Sequence, residues 1–110
     1  MQIVDASVFV HAPTPKNSQR LANTGSTESS STELTVGKMA TIMVGATAIR
    51  IEFLPTAGAG SSVATTSLII GVNQRFAWVV LDETKFVAIE AADGASAYEA
   101  WVWTSSPKLI

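Results

Sequence analysis

Turn-forming residues interrupt this chain so often that no segment between them can be more than a short strand. From Leu34 onward, glycine, proline and polar pairs recur about every eight to twelve residues, and the segments between them are rich in valine, isoleucine and threonine. No segment keeps the 3.6-residue period of an amphipathic helix. The spacing therefore predicts an all-β domain of about seven antiparallel strands, a small β-sandwich or barrel.

Alternation of apolar and charged residues is clearest in the predicted strand 47–54. Ile49, Ile51 and Phe53 share one face, which predicts a strand with one buried side. The other predicted strands are 3–11, 39–44, 63–71, 76–81, 85–91 and 97–104. The short polar connection within 76–91 predicts that its two strands form a hairpin, and Asp93-Gly94 predicts a further tight turn.

Residues 12–33 form a long polar segment within what we predict to be a single domain, 1–110. The segment is dominated by proline, serine, threonine and asparagine, and Leu21 is its exception. Pro13 and Pro15 end the preceding strand because proline donates no ladder hydrogen bond. We therefore expect a loop, or an arm that lies across a neighbouring subunit, with Pro13, Pro15 and Leu21 as candidate interface residues.

Composition excludes several classes of function. The 110 residues include no cysteine and one histidine, which excludes a disulfide framework, a thiolate zinc site and a cysteine nucleophile. The net charge of −2 lacks the basic excess expected of a nucleic-acid-binding protein. No apolar run is long enough to span a membrane, and the start of the chain lacks the basic region of a secretory signal.

Catalytic candidates are few. Asp5, Ser7 and His11 share one face of a predicted strand, but at about 3.3 Å per residue Asp5 lies about 20 Å from His11, too far for a triad. The carboxylate pairs Asp82/Glu83 and Glu90/Asp93 flank predicted turns, where acidic residues commonly serve the turn itself. We therefore expect no enzyme active site, no bound metal and no cofactor.

Two tryptophans are the other candidate site. Trp101 and Trp103 lie two residues apart on one predicted strand, so they share a face together with Glu99. Exposed, they could stack on a sugar or anchor a protein interface; buried, they would fill the core. The alternate set on this strand is Tyr98, Ala100 and Val102.

Several stretches of the chain resemble small virion proteins of tailed bacteriophages. They are residues 34–42 (LTVGKMATI), 48–53 (AIRIEF) and 86–90 (FVAIE), the last followed by Asp93-Gly94, in a cysteine-free chain of low charge. The resemblance implies a non-enzymatic structural protein of the virion. It favours a capsid decoration, or cement, protein that binds the major capsid protein as a homo-oligomer, with a trimer favoured.

Two other functions stay open at this point. One is a tail or head-fibre component of the same kind of particle. The other, of a different class, is a carbohydrate-binding β-sandwich module that uses Trp101 and Trp103. The carbohydrate-binding function requires both rings to be exposed and coplanar, whereas the decoration function predicts that they are buried.

Overall fold

The described part of the chain, residues 18–105, folds into eight strands and one short 3-10 turn, which confirms the predicted all-β class. The computed structural model describes residues 18–105. The strands are β1 Gln19–Thr24, β2 Ser29–Ser30, β3 Met39–Val44, β4 Ile49–Leu54, β5 Leu68–Ile70, β6 Arg75–Val79, β7 Phe86–Ala91 and β8 Ala97–Ser105. The 3-10 turn, Asp82–Thr84, lies between β6 and β7.

The strands form two four-stranded antiparallel sheets, consistent with a small β-sandwich. Sheet I has the order β1-β8-β3-β6, and sheet II has the order β2-β7-β4-β5. Alternate residues of each strand point into the space between the sheets, because successive side chains in a strand face opposite ways. On β8 the inward set is the one expected from the sequence: Tyr98, Ala100 and Val102 are 4%, 0% and 0% exposed.

The core consists of aliphatic side chains from both sheets. Ile42 and Val44 of β3 meet Ile49 and Ile51 of β4 and Ile89 of β7 in one buried cluster. β-branched residues suit this position because their restricted rotamers pack well on a pleated surface.

The predicted hairpin over 76–91 is wrong. β6 pairs with β3 in sheet I, whereas β7 pairs with β4 in sheet II. Val80 continues the pairing of β6, since its amide donates to Lys38 O at 2.9 Å and its carbonyl accepts from Gly37 N at 2.9 Å. The following 3-10 turn then carries the chain to the other sheet. Spacing and polarity are the same for such a crossing turn and for a hairpin, so the local sequence could not distinguish them.

The predicted loop over 12–33 is wrong where it includes β1 and β2. All six residues of β1 pair with β8, and Leu21 lies opposite Ala100 with 6% exposure. An edge strand of this length needs only one large inward side chain. The other residues of β1 are mostly polar, so its sequence does not show the alternation of apolar and polar residues that predicts a strand. Residues 12–17, and the predicted strand 3–11 before them, lie outside the described residues.

The predicted strand 63–71 is shorter than expected because residues 64–67 form a turn, in which Ser67 N donates to Ala64 O at 3.0 Å and Ala64 N donates to Ser67 Oγ at 2.9 Å. Glu28 accepts hydrogen bonds from Gly60 N at 3.0 Å, Ser62 N at 2.7 Å and Val63 N at 2.9 Å. These amides are therefore not available to a neighbouring strand, and regular pairing begins only at Leu68.

Tyr98 joins the two sheets through its hydroxyl group. The hydroxyl oxygen lies 2.6 Å from Thr27 O, 3.0 Å from Ile89 O and 2.9 Å from Ser29 Oγ. Thr27 and Ser29 belong to the β1–β2 region and Ile89 to β7, so one side chain of sheet I bonds both the connecting loop and sheet II. Burial raises the pKa of the phenol, so the group stays neutral and keeps its proton to donate.

We expect Tyr98→Phe to fold but to lose stability. The change removes the hydroxyl group that bonds the buried Ile89 carbonyl and the β1–β2 loop, which costs about 1–3 kcal/mol in the free energy of unfolding. Urea denaturation followed by circular dichroism measures it. An unchanged midpoint would show that the hydroxyl group does not connect the sheets.

Asp93 closes the turn between β7 and β8 and confirms the turn predicted there. Its Oδ1 accepts hydrogen bonds from Ala95 N and Ser96 N, both at 2.8 Å, and Ser96 Oγ donates to Oδ2. Gly94 has φ = 69°, a left-handed conformation that glycine adopts without strain. The hydrogen bonds from Ser96 and Ala95 lower the pKa of Asp93 to about 2.

The pKa of Asp93 predicts a pH-dependent contribution to stability. A folded-state pKa below the unfolded value of 3.8 stabilises the fold above that value, and the contribution is lost as pH falls towards about 2. We therefore expect Asp93→Ala to lower the melting temperature at pH 7. The difference from the wild type should shrink between pH 4 and pH 2, and a constant difference across that range would contradict the assignment.

Candidate interaction surface

Exposed large apolar side chains are concentrated in one part of the described chain. Six of the seven such residues lie between Leu68 and Leu81. We call these six the rim: Leu68, Ile69, Val72, Phe76, Val79 and Leu81. Their exposed fractions run from 37% to 53%. Scattered surface apolar residues are ordinary, but a concentration of exposed apolar side chains is a feature that interaction surfaces share.

The rim lies where both sheets end on the same side of the sandwich. β5 is the last strand of sheet II, and β6 is the last strand of sheet I. The ring of Phe76 on β6 lies 5.8 Å from that of Phe53 on β4, so the end of sheet I packs over the strand next to β5. The opposite side, formed by β1 and β2, exposes polar side chains such as Arg20, Asn23 and Thr24.

A tight turn connects the two edge strands. Gln74 N donates to Gly71 O at 3.1 Å, and Gly71 N donates to the Gln74 side chain at 3.1 Å. Asn73 adopts φ = 57°, a conformation that asparagine tolerates better than most residues. The turn holds Val72 outward, so the apolar surface continues from one edge strand to the next.

Strand β6 lacks the usual protection of a sheet edge. Natural edge strands are blunted by lysine, proline, bulges or short length. β6 reads Arg-Phe-Ala-Trp-Val, with one charge at its start and no proline, and within residues 18–105 only β3 pairs with it. β5 is three residues long and is protected by its length. Among residues 18–105, the second backbone edge of β6 has no strand partner.

An aromatic cluster supports the rim from inside. Phe53, Phe76 and Trp78 pack with ring centroids 5.0 to 6.1 Å apart. The Trp78 indole donates to Thr84 O at 3.3 Å and so ties β6 to the 3-10 turn. Because these large rings pack on one another, they hold β6 in place. The rim therefore rests on packed side chains and not on a loop.

The rim is not the site predicted from the sequence. Trp101 and Trp103 lie on the outer face of sheet I, where Trp101 is half-buried and Trp103 is only 4% exposed. Leu21 is part of the core, and Pro13 and Pro15 lie outside the described residues. The sequence does contain a signal for the rim, because Arg75 is the only charged residue in the stretch 68–81.

The catalytic candidates are dispersed or serve the fold. Asp82 and Glu83 are exposed in the 3-10 turn, and Asp93 is occupied in its own turn. Asp5, Ser7 and His11 fall outside the described residues. Across 18–105, no three acidic or histidine side chains come together as a metal site. In that same range, no helix has the length and apolar character needed to cross a membrane.

Comparisons of the chain with protein-family models, with curated proteins and with solved structures gave no match. The function must therefore be inferred from the surface of this molecule itself. The rim is the largest departure from an ordinary polar surface in the described part of the chain.

We expect the rim to mediate self-association. The double substitution Val79→Lys/Leu81→Lys places two charges on side chains that are 51% and 53% exposed, so the fold should tolerate it. Charges in an apolar contact should weaken it by about 100-fold or more, since each buried aliphatic side chain contributes about 1.5–3 kcal/mol. Light scattering across a concentration series measures the mass.

The matched control for this experiment is Thr24→Lys, which adds a charge to an exposed residue of the opposite edge strand. The wild type and the control should form the same discrete oligomer, and the rim variant should approach the 11.5 kDa monomer. A wild-type protein that stays monomeric at every concentration would contradict self-association through the rim.

Proposed function

We propose that the protein is a structural component of a bacteriophage virion, a capsid decoration protein that assembles through the rim into a homo-oligomer and binds the major capsid shell in that form. The observation that carries the proposal is the concentration of exposed apolar residues along one side of the small sandwich. The resemblance of residues 34–42, 48–53 and 86–90 to small virion proteins supports the choice of particle.

Apolar burial in the rim would supply the free energy of oligomer assembly. Each square ångström of apolar surface removed from water contributes roughly 25 cal/mol, and the centre of a protein interface is depleted in charge as this rim is. A shell repeats its binding sites many times, so a homo-oligomer could engage several of them at once. Modest single contacts would then add up to firm attachment through avidity.

The second backbone edge of β6 offers a further contribution. A partner segment in extended conformation could add to this edge and form main-chain hydrogen bonds, while its side chains pack on Phe76 and Val79. The strand edge would thus set the orientation of the partner segment, and the apolar rim would supply the affinity.

The carbohydrate-binding alternative loses its support in this geometry. Stacking on a sugar requires exposed ring faces, and Trp103 is only 4% exposed. Trp101 alone does not make the paired platform on which that function depends. A tail or fibre component would use the same rim, so the location on the particle distinguishes it from a decoration protein.

Virions assembled without this chain provide the test. Purified wild-type protein, the rim variant Val79→Lys/Leu81→Lys and the control Thr24→Lys are each added to such particles. Co-sedimentation measures binding, and the temperature at which the particles release DNA measures stabilisation. We expect the wild type and the control to bind and to raise the release temperature, and the rim variant to do neither.

Two results would contradict the proposal. One is that the wild-type protein does not co-sediment with the particles. The other is that gold-labelled protein binds only at the tail or at fibres, which would assign it to those structures instead of the shell.

A further inference from the structure

The connection between β4 and β5 crosses the outer face of sheet II, the side that faces away from sheet I. These two strands are neighbours in the sheet, and a hairpin between neighbours usually has about two to five connecting residues. The chain instead uses residues 55–67, which we call the strap. Its extra length carries it over β7 as far as β2, at the opposite edge of the sheet.

The strap lies directly on the side chains of these two strands. Gly58 approaches so closely that a side chain there would collide with Ser30 Oγ of β2, and its Cβ would lie 3.4 Å from that of Ala88 on β7. Ala88 pairs with Ser30 and alternates along β7 with the core residues Val87 and Ile89. Both contacted side chains therefore project from the outer face, because successive residues of a strand face opposite ways.

The carboxylate of Glu28 holds the strap in this position. Its Oε1 accepts hydrogen bonds from Ser62 N and Val63 N, and its Oε2 accepts one from Gly60 N. Hydrogen bonds to an ionised carboxylate are roughly twice as strong as those between neutral groups. Glu28 belongs to the connection between β1 and β2, so a residue distant in sequence fixes the middle of the strap.

Two side chains of β4 hold the end of the strap that returns towards β5. Arg50 Nη1 donates to Thr65 O at 2.7 Å, and Ser67 Oγ donates to Glu52 Oε1 at 3.0 Å. In the described part of the chain, no backbone–backbone hydrogen bond joins residues 58–66 to a strand. The attachment of the strap to the sheet therefore depends on side chains, unlike the attachment of the strands to one another.

The strap itself contributes little to an apolar core. Its sequence from Thr56 to Thr66 is TAGAGSSVATT, in which Val63 is the only large apolar residue. Opening the strap would remove little apolar burial, and Gly58 and Gly60 would regain backbone freedom. Segments with few buried apolar contacts open at a lower free energy than the whole fold. The polar contacts, with Glu28 at their centre, thus determine whether the strap is closed.

Tyr98 fixes the chain on both sides of Glu28. Its hydroxyl group bonds Thr27 O at 2.6 Å and Ser29 Oγ at 2.9 Å, and these two residues directly precede and follow Glu28. A carboxylate that accepts from three amides at once requires a fixed backbone, because each hydrogen bond tolerates only small changes of distance and angle. The buried tyrosine is in this way connected to the strap on the outside of sheet II.

We propose that the strap is a cover that opens as a unit while the sandwich stays folded. Glu28 keeps the strap closed, and Tyr98 is the positioning residue for Glu28. Opening lifts the strap from Ser30 and Ala88 and uncovers the outer sides of β2 and β7. The inference does not depend on the proposed function, since no residue of the strap belongs to the rim.

Amide hydrogen exchange resolved by NMR tests the role of Glu28 in the otherwise unchanged chain. Glu28→Gln keeps the size of the side chain but removes its charge and replaces one acceptor oxygen with an NH2 group, which cannot accept a hydrogen bond. We expect exchange at Gly60, Ser62 and Val63 to accelerate about tenfold or more, since hydrogen bonds to charged groups are the stronger ones. The amides of Ile49–Leu54 in β4 should keep their rates.

The matched control is Glu83→Gln, which removes the same charge from an exposed residue of the 3-10 turn and should change neither set of rates. Unchanged exchange of the three strap amides in Glu28→Gln would overturn the proposal. Equal acceleration in the strap and in β4 would also overturn it, because the strap would then open only when the sandwich unfolds.

Tyr98→Phe separates the positioning of Glu28 from the stability of the whole fold. We expect this variant to accelerate exchange of the strap amides by a larger factor than exchange of the β4 amides. Adding Glu28→Gln should then accelerate the strap little further, because both changes act through the same carboxylate. Equal factors in the strap and in β4, or factors for the two substitutions that multiply in full, would overturn the positioning role of Tyr98.

Thiol labelling gives a second measurement that reads the covered surface itself. The chain has no cysteine, so Ala88→Cys places a single thiol beneath the strap, and Val87→Cys places one in the core as the matched control. We expect Glu28→Gln to accelerate the reaction of the thiol at position 88 with iodoacetamide several-fold and to leave position 87 unchanged. Equal rates at position 88 with and without the Glu28 substitution would overturn the proposal.

Discussion

Repeated crossing of the chain between the two sheets is the constraint on which the rest of this structure depends. Of the connections between consecutive strands β1 to β8, only the one from β4 to β5 stays within a sheet. Each sheet is therefore assembled from strands that are distant in sequence, and its stability depends on the shared core rather than on local hairpins. Tyr98 reinforces this arrangement because its hydroxyl group reaches the loop before β2 and the backbone of β7.

The same crossings determine where the apolar surface lies. The short turn after Ile70 takes the chain directly from the edge of sheet II to the edge of sheet I. One stretch of chain, 68–81, thus forms the edge strands of both described sheets on one side, and its exposed apolar side chains lie outside the core. The polar strand β1 occupies the opposite edge of sheet I, so the sandwich has one apolar side and one polar side.

Local sequence pattern predicted the parts of the structure that depend on local alternation. The alternation of Ile49, Ile51 and Phe53 predicted β4, and the inward set of β8 followed from its two-residue period. The pattern failed where distant residues decide. Glu28, distant in sequence, accepts hydrogen bonds from the amides of Ser62 and Val63, and β1 exists because β8 offers it an edge. The burial of Trp103 likewise depends on residues distant in sequence, Met39 of β3 and Ala77 of β6, that pack in the same cluster. The spacing of the two tryptophans could not reveal it.

The central claim is that the β5–β6 side is the surface through which the protein assembles. Amide hydrogen exchange tests it most directly, measured on Arg75–Val79 in the dissociated monomer at low concentration and in the assembled oligomer. The outward amides of β6 should exchange rapidly in the monomer and become protected on assembly, while those of Gln19–Thr24 remain unchanged. Protection gained at β1 with none at β6 would contradict the claim.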